Sequence, residues 1–591
     1  MAVKRESYEA DFLIVGGGTA GCLAAWEAKK IDPKAEVVIM EKANIQTSGC
    51  LMFCQNAINT RINNNVPEDF VRYVRFDHGY PVDEEHMLKI AKEINETIEL
   101  VESWGLPIKK KPDGSYWTRG PWGLSIYGFK LKPVIAEAAK KSGATILNRV
   151  CAIDFLMKDG RVVGAVGGGN REEKIVVVRA KATLICAGGC AGVFRPNNPK
   201  EAHHRIWYPA FNCGASYAMG MRIGAEMTMF EEKHIPLRIK DAIAPVGTLI
   251  LGFGAGQLNA KGEKFMEKHY QHVGGNAAPT YLRLFGAMEE IKAGRGPCFL
   301  DTTVVDPSRL KDIYLAYVDM APQILLIWAA MGANPTKQPS EIVGVDPYFL
   351  GGHAAATGYW CDINDATTIP GLWCAGDAQG ATPSKYISGG WVQGRQAARS
   401  CMAGRAASNV SEADVKAQVD AAEEHWMAPL KRFREGYQGI TTQQFEGRIQ
   451  KIMDDNAGGR VTGYNVSEPG LKMALFNIKQ MYDQYKHIVA PDPHGQMLAQ
   501  DCWDRIFVAH AHIEHMLARQ ETRWPSFQQR LDFPEKDDAN FNCFINSVMD
   551  PKTREIRMLK REYKRVFPDG PGDPAWARAA GKKAAGFVEG T

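Results

Sequence analysis

Three things are scarce in this 591-residue chain, and each scarcity removes a class of function. Charge of one sign is the first. Lys and Arg number 71 against 67 Asp and Glu, a net charge of +4, so the bulk electrostatics give no general case for a nucleic-acid partner. Long apolar runs are the second: no stretch of about eighteen uncharged apolar residues occurs, and no transmembrane helix is expected. Clustered cysteines are the third. Thirteen are scattered through the chain, none in CxxC or CxxCxxC spacing, the nearest being Cys50-x-x-x-Cys54 and Cys186-x-x-x-Cys190. Buried thiols are therefore expected, with no metal site and no iron–sulfur ligands of the chain's own. The start, MAVKRESYEADFLIV, has no secretory apolar core and no twin arginine, so a cytoplasmic protein is expected. There is no internal repeat. The length predicts two to four domains, and 45% apolar with 23% charged residues is ordinary for a globular enzyme.

What is present organises itself around residues 11–41. Asp11 to Val15 reads as a buried strand, followed at once by Gly16-x-Gly18-x-x-Gly21. Cys22 to Lys30 reads as a helix and Lys34 to Met40 as a second strand, closed by Glu41 twenty residues after Gly21. Gly16 permits the tight turn, Gly18 lets the backbone approach a pyrophosphate, and Gly21 lets the helix pack on the strand. The helix start offers free N–H groups and a positive dipole end to phosphates. Glu41 can accept from both ribose hydroxyls, and its charge would repel a 2′-phosphate. Strand, turn, helix, strand and acid at this spacing predict a dinucleotide site in an α/β domain of Rossmann type.

Two later segments repeat the strand-to-glycine pattern. TLICAGG (183–189) ends in Ala187-Gly188-Gly189, and IPGLWCAGDAQG (369–380) closes on Gly376-Asp377. One chain with all three resembles the FAD-binding domain of the fumarate reductase and succinate dehydrogenase flavoprotein superfamily. The resemblance implies FAD, with Asp377 at its ribityl-phosphate part and residues 42–62, including Lys42, Ser48 and Gly49, beneath the ring. Covalent relatives carry a histidine in that stretch. None lies between Glu41 and Thr60, so the FAD is expected to be non-covalent. Ser388-Gly389-Gly390 reads as a loop opening onto a helix whose amides would face the reduced ring's negative charge.

A narrower resemblance runs through most of the chain. Ala57-Ile58-Asn59-Thr60, Trp104-Gly105-Leu106-Pro107-Ile108, Trp207-Tyr208-Pro209, RIKDAIAPVG (238–247), Gly294-Arg295-Gly296-Pro297 and Glu521-Thr522-Arg523-Trp524-Pro525 are similar to the flavin-bearing alpha subunit of dissimilatory adenylylsulfate reductase. It implies discontinuous FAD-domain segments 1–234 and 350–405, an inserted α+β capping domain over 235–349, and a C-terminal helical domain over 406–591. The activity implied is reduction of adenylylsulfate, or a related nucleotide sulfate such as its 3′-phosphorylated form, to sulfite and nucleotide through a flavin N5–sulfite adduct, or the reverse. A ferredoxin-like iron–sulfur beta subunit would supply the electrons. The main rival is a fumarate or enoate reductase acting on a C=C bond, and the non-catalytic rival is an electron-relay or scaffold paralogue.

The same resemblance places Arg238 and His353 beside the flavin, where a guanidinium fork suits sulfate, phosphate or carboxylate oxygens. Trp207 would wall the pocket or serve in the core. Asn59 could donate toward flavin N5 or a substrate oxygen, and Arg283 could bind a nucleotide phosphate or form a surface ion pair. Phe129, Phe53-Cys54 and Trp391 depart from the subgroup pattern and are placed near the substrate pocket. Residues 552–565, KTREIRMLKREYKR, carry seven basic residues against two acids and read as a solvated helix face or a docking surface for an acidic electron-transfer subunit.

Overall fold

The computed structural model describes residues 3–52, 56–61, 65–79, 81–118, 122–196, 206, 208–242, 253–349, 351 and 355–568. Strand β1, Lys4–Val15, is the axis of a seven-stranded sheet. Strand β2, Val37–Glu41, lies parallel to it on one side, from Phe12↔Val37 to Val15↔Met40. On the other side runs the strand Lys174–Ile185, parallel from Lys4↔Lys174 to Val15↔Ile185. That long partner is why β1 begins seven residues before Asp11: its first half is polar, but it has a ladder to join. The Lys174–Ile185 strand changes neighbour along its length. Its first half pairs antiparallel with Arg161–Gly169, and its last residues pair parallel with Leu372–Cys374.

Both faces of this sheet are covered over the second half of β1, so Phe12 to Val15 read as a continuous apolar run rather than an alternating one. Phe12 and Ile14 pack under helix α1, Thr19–Ile31, and the helices Ser388–Gly404 and Glu84–Ser103. Leu13 and Val15 face the opposite core, closed by helices Ala215–Arg222 and Pro493–Ala518. Gly21 has the packing role expected of it: a Cβ there would lie 2.0 Å from the Gly16 carbonyl oxygen.

Residues 235–349 build a separate four-stranded antiparallel sheet in the order Leu237–Ile239, Ser340–Gly344, Cys298–Asp301, Gly256–Leu258. Helices Thr280–Lys292, Leu310–Met320 and Pro322–Met331 belong to the same part of the chain. After the Ser388–Gly404 helix the chain is mainly helical. Ser411 and Asp414 form the capping box that starts Glu412–Arg434.

The basic stretch departs from expectation. Ile556–Glu562 is an edge strand, not a helix face, paired antiparallel with Cys543–Met549, which also pairs with Glu226–Thr228. Tertiary pairing overrides a local pattern rich in helix formers, and Arg561 forks onto the Glu226 carboxylate at 2.8 Å through both Nε and Nη2. The Glu521-Thr522-Arg523-Trp524-Pro525 motif lies in the interior. Glu521 bridges Arg519 and Arg523, and the Trp524 indole donates to the His78 carbonyl at 2.5 Å. No helix among the described residues is long and apolar enough to cross a membrane.

Candidate functional site

The C-terminal ends of β1, β2, Lys174–Ile185 and Leu372–Cys374 converge on one cavity, the crevice where open α/β sheets bind ligands. Nine of the twelve residues read as cofactor-binding line it: Gly16, Gly18, Glu41, Lys42, Ser48, Gly49, Ala187, Gly188 and Asp377. Gly21, Ser388 and Gly389 stand behind the wall rather than in it.

The wall is built for a polar ligand. Glu41 braces the turn, its two oxygens accepting from Gly17 N at 2.9 Å and Ala43 N at 2.8 Å. No heavy atom lies within 4 Å of where a Cβ on Gly18 would sit, so its backbone faces open space. The Ser48 hydroxyl is buried without a hydrogen-bond partner, a cost that a bound ligand would remove. Asp377 accepts from the Tyr208 hydroxyl at 3.2 Å, and that hydroxyl accepts from Gly189 N at 2.8 Å. Lys42 is committed elsewhere: its ammonium pairs with Asp501 of the Pro493–Ala518 helix and donates to the Phe211 carbonyl at 2.8 Å. An open glycine turn at a helix start, an orphaned hydroxyl and a positioned carboxylate are the donor set that a flavin dinucleotide needs.

The Ser388–Gly404 helix begins from a strained approach. Ala381, Ser384, Tyr386 and Ile387 all have positive φ, and Ile387 at φ 71° is a β-branched residue where glycine is usual. Asn59 helps hold this approach: its side-chain amide donates to Ser384 O at 2.9 Å, and its own carbonyl accepts from the Ser388 hydroxyl at 2.5 Å.

The two arginines read as substrate residues are both buried and lie outside the cavity wall. Arg238, in the Leu237–Ile239 strand, donates to the Ala242 carbonyl. Burial pulls its guanidinium below the usual value, and Asp346 opposes that pull. Arg283, on the Thr280–Lys292 helix, donates to Thr280 Oγ1 at 3.0 Å. It is likewise depressed by burial, with Asp77, Tyr386 and Tyr73 around it. Asp77 is pushed up to about 6 by burial, against the pull of Arg283.

Trp207, His353, Phe53 and Cys54 fall outside the described residues. Two of the departures placed near the substrate pocket do not line the flavin cavity. Phe129 is 61% exposed on the surface, and Trp391 is fully buried in the core beneath the Ser388–Gly404 helix. Helical periodicity decides the second case: Gly390 lines the cavity and its neighbour turns inward. Sequence reasoning missed Tyr208 and Lys385 as wall residues. The signal for each was adjacency, Tyr208 following Trp207 and Lys385 standing three residues before Ser388.

The FAD binding domain family matches residues 11–390. The adenylylsulfate reductase alpha subunit of Megalodesulfovibrio gigas is 30% identical, covering 95% of this chain and 96% of its own length. Among solved structures, an adenosine-5-phosphosulfate reductase in complex with sulfite, as a covalent adduct, superposes with a TM-score of 0.91 at 34% identity over 96% of this chain and 98% of that one. The adenylylsulfate reductase of Archaeoglobus fulgidus gives 0.90 at 34% identity with the same coverage. A quinol fumarate reductase of E. coli shares the fold, with a TM-score of 0.82 at 18% identity over 96% and 99%. The chain therefore belongs to the FAD-binding flavoproteins of the fumarate reductase and succinate dehydrogenase superfamily and, within them, to the adenylylsulfate reductase alpha-subunit family.

Proposed function

We propose that the chain is the flavoprotein subunit of an adenylylsulfate reductase, interconverting adenylylsulfate with sulfite and AMP. The observation that carries this reading is the 34% identity to solved adenylylsulfate reductases over 96% of the chain, against 18% to a fumarate reductase at equal coverage. FAD, when bound, supplies the two-electron chemistry at its ring.

The chain's own residues do the rest. The Gly16–Gly18 turn and the α1 N-terminus receive the pyrophosphate, Ser48 satisfies its orphaned hydroxyl on the ligand, and Asp377 holds the sugar-phosphate side. The start of the Ser388–Gly404 helix favours negative charge on the reduced ring through its dipole. Arg238 and His353 offset negative charge gathering on sulfonyl oxygens, a role worth most where water is excluded. Arg283, next to Asp77, takes the nucleotide phosphate. Asn59 positions the strained approach and has one amide hydrogen left for the ligand, while Trp207 closes the pocket. The chain divides after residues 234, 349 and 405 into FAD, capping and C-terminal parts, and the FAD is held without a covalent bond. Electrons arrive from a separate ferredoxin-like iron–sulfur subunit, and the complex works in the cytoplasm.

The test mixes oxidised holoprotein with sulfite and records the flavin spectrum, then follows AMP-dependent oxidation of sulfite with ferricyanide. Loss of the flavin absorption band without added reductant, together with AMP-dependent turnover, is expected. A flavin indifferent to sulfite, with fumarate reduced by a dye-donor assay, would replace this reading with that of a C=C reductase.

A further inference from the structure

Lys385 is the least expected charge in the flavin cavity wall. The residue is 2% exposed, and its stem packs over the first turn of the Ser388–Gly404 helix, where a Cβ on Gly389 would lie 2.8 Å from Lys385 Cβ. Its ammonium donates to two carbonyl oxygens, Gly376 O at 2.8 Å and Gln379 O at 3.3 Å. It thereby ties both ends of the turn that carries Asp377 to the strained run ending at Ile387.

What it lacks is a partner of opposite charge. Among the described residues no carboxylate lies within 4 Å of its nitrogen. Asp365, the other acid that faces it, is already taken by Lys89 at 2.7 Å and lies 3.8 Å from His86. Asp377 faces it from the same turn and is hydrogen-bonded by Tyr208. The remaining titratable neighbours are the thiols of Cys374 and Cys361. A buried ammonium without an ion pair is costly, so such groups are retained where a ligand or a reaction supplies the missing charge.

We propose that Lys385 is the redox-linked proton acceptor of the flavin site: it takes up one proton as an electron pair enters the bound flavin, and its positive charge raises the flavin's reduction potential. The proposal rests on FAD binding in this cavity and not on the identity of the substrate. The balance is simple. Two electrons come from the reductant, one proton goes with them to the flavin, and one proton from solvent converts the Lys385 amine to the ammonium whenever it starts neutral. The physical basis is mutual. Burial pulls Lys385 down to about 8, against the raising influence of Asp377, Cys374, Asp365 and Cys361. A negative charge arriving on the reduced ring draws it back up. Lys385 and the dipole of the helix start, three residues on, act in the same direction.

The test is spectroelectrochemical titration of the holoprotein from pH 7 to 10, which needs no substrate and so stands apart from the sulfite assay. In the natural protein the plot of midpoint potential against pH is expected to steepen above about pH 8, by one extra proton per electron pair. Lys385→Met should bind FAD with a more negative potential at pH 7 and a line without that break, converging with the natural protein at high pH. Lys385→Arg, charged throughout, should keep a potential near the natural one at pH 7 and also lose the break. A straight natural line, or an Arg variant with the same break, overturns the proposal. So does a Met variant that retains both FAD and the natural potential. If the Met variant loses FAD, the natural protein and the Arg variant still decide.

Discussion

Arg238 carries its charge where burial disfavours it, beside Asp346 and against the Ala242 carbonyl. A guanidinium tolerates this because it stays protonated and spreads its charge over a planar fork. Lysine would keep the charge but offer a single point. Arg238→Lys is expected to lower the turnover number by about 100-fold or more, the usual cost of losing one aligned donor to a developing anion. FAD content should be unchanged, because Arg238 does not line the flavin cavity. The flavin-to-protein ratio and the steady-state rate of the purified variant check both halves, and a near-natural rate would make Arg238 a structural residue. Residues of this kind were legible only through resemblance. Arg238 and Arg283 lie on separate segments that no local spacing links, whereas Gly16, Gly18, Gly21 and Glu41 announce themselves by local spacing.

At the scale of elements, ion pairs join the flavin fold to the C-terminal helices, among them Arg222–Asp504 and Lys42–Asp501. Lys42, directly after β2, pairs with Asp501 on the Pro493–Ala518 helix. Burial alone would lower the Lys42 amine, and the Asp501 carboxylate more than reverses it, holding it above the ordinary lysine range. Breaking a fully buried pair costs about 3–5 kcal/mol. Lys42 keeps 21% side-chain exposure, so Asp501→Ala is expected to cost less, about 2–3 kcal/mol in urea unfolding. The sign of the pH dependence follows from a raised folded pKa. The contribution is complete below the unfolded lysine value near 10.4 and disappears only as pH rises through the higher folded value. Natural and variant proteins should therefore differ equally at pH 7 and pH 9. Lys42→Met combined with Asp501→Leu should recover much of the loss, since the leftover charge goes too. The family resemblance marked Lys42 as a cofactor residue within the stretch 42–62, and its distant partner was invisible in the sequence. The same limit explains the misread 552–565 stretch, where the Cys543–Met549 strand and Glu226 decide a conformation that basic residues and helix formers do not. The β1–α1–β2 unit escapes that limit because its turn, helix and acid are contiguous.

Burial shifts the titration of several groups in the molecule, and they pull its acid stability in opposite directions. His78 lies 3.4 Å from Glu232 and is depressed to about 3 by burial, with Arg523 and Arg519 adding to it. The unfolded chain protonates it first, so its contribution is present above about pH 6.5 and is lost progressively as pH falls toward 3. Asp77 and Asp504, each raised to about 6 by burial, act the other way. Their contribution is complete below the unfolded value near 3.9 and is lost as pH rises through 6. Removing His78 should leave the second influence dominant. His78→Gln is expected to flatten the fall in urea midpoint between pH 6.5 and 4.5, and an unchanged slope would show that other groups set the acid limb.

Electron supply is also a property of the assembly rather than of any one residue. Flavin accepts an electron pair, but among the described residues no group of three or more His, Cys, Asp or Glu side chains could hold a metal ion. The described cysteines are buried or half-buried thiols, and burial pushes the Cys186, Cys190 and Cys502 thiols well above the ordinary thiol range. Thiols of that kind do not relay electrons. Under the proposed function, electrons are supplied singly through an iron–sulfur partner docked near the flavin. The exposed edge strand Ile556–Glu562 offers one surface for it, with Arg557 and Lys560 facing solvent and an unpaired strand edge that a partner could extend. The isolated holoprotein is expected to exchange electrons with small dyes at a useful rate and with a protein donor only slowly. Addition of an acidic two-cluster ferredoxin-type protein should raise the second rate. That increase should shrink as salt rises past about 0.1 M, where charges are screened beyond about 10 Å. Arg557→Glu with Lys560→Glu should weaken the effect while leaving the dye rate untouched, because neither residue lines the flavin cavity. Full activity of the iron-free chain with a protein donor would remove the need for a partner. A salt-insensitive rate increase, unaffected by the two charge reversals, would move the docking surface elsewhere on the molecule.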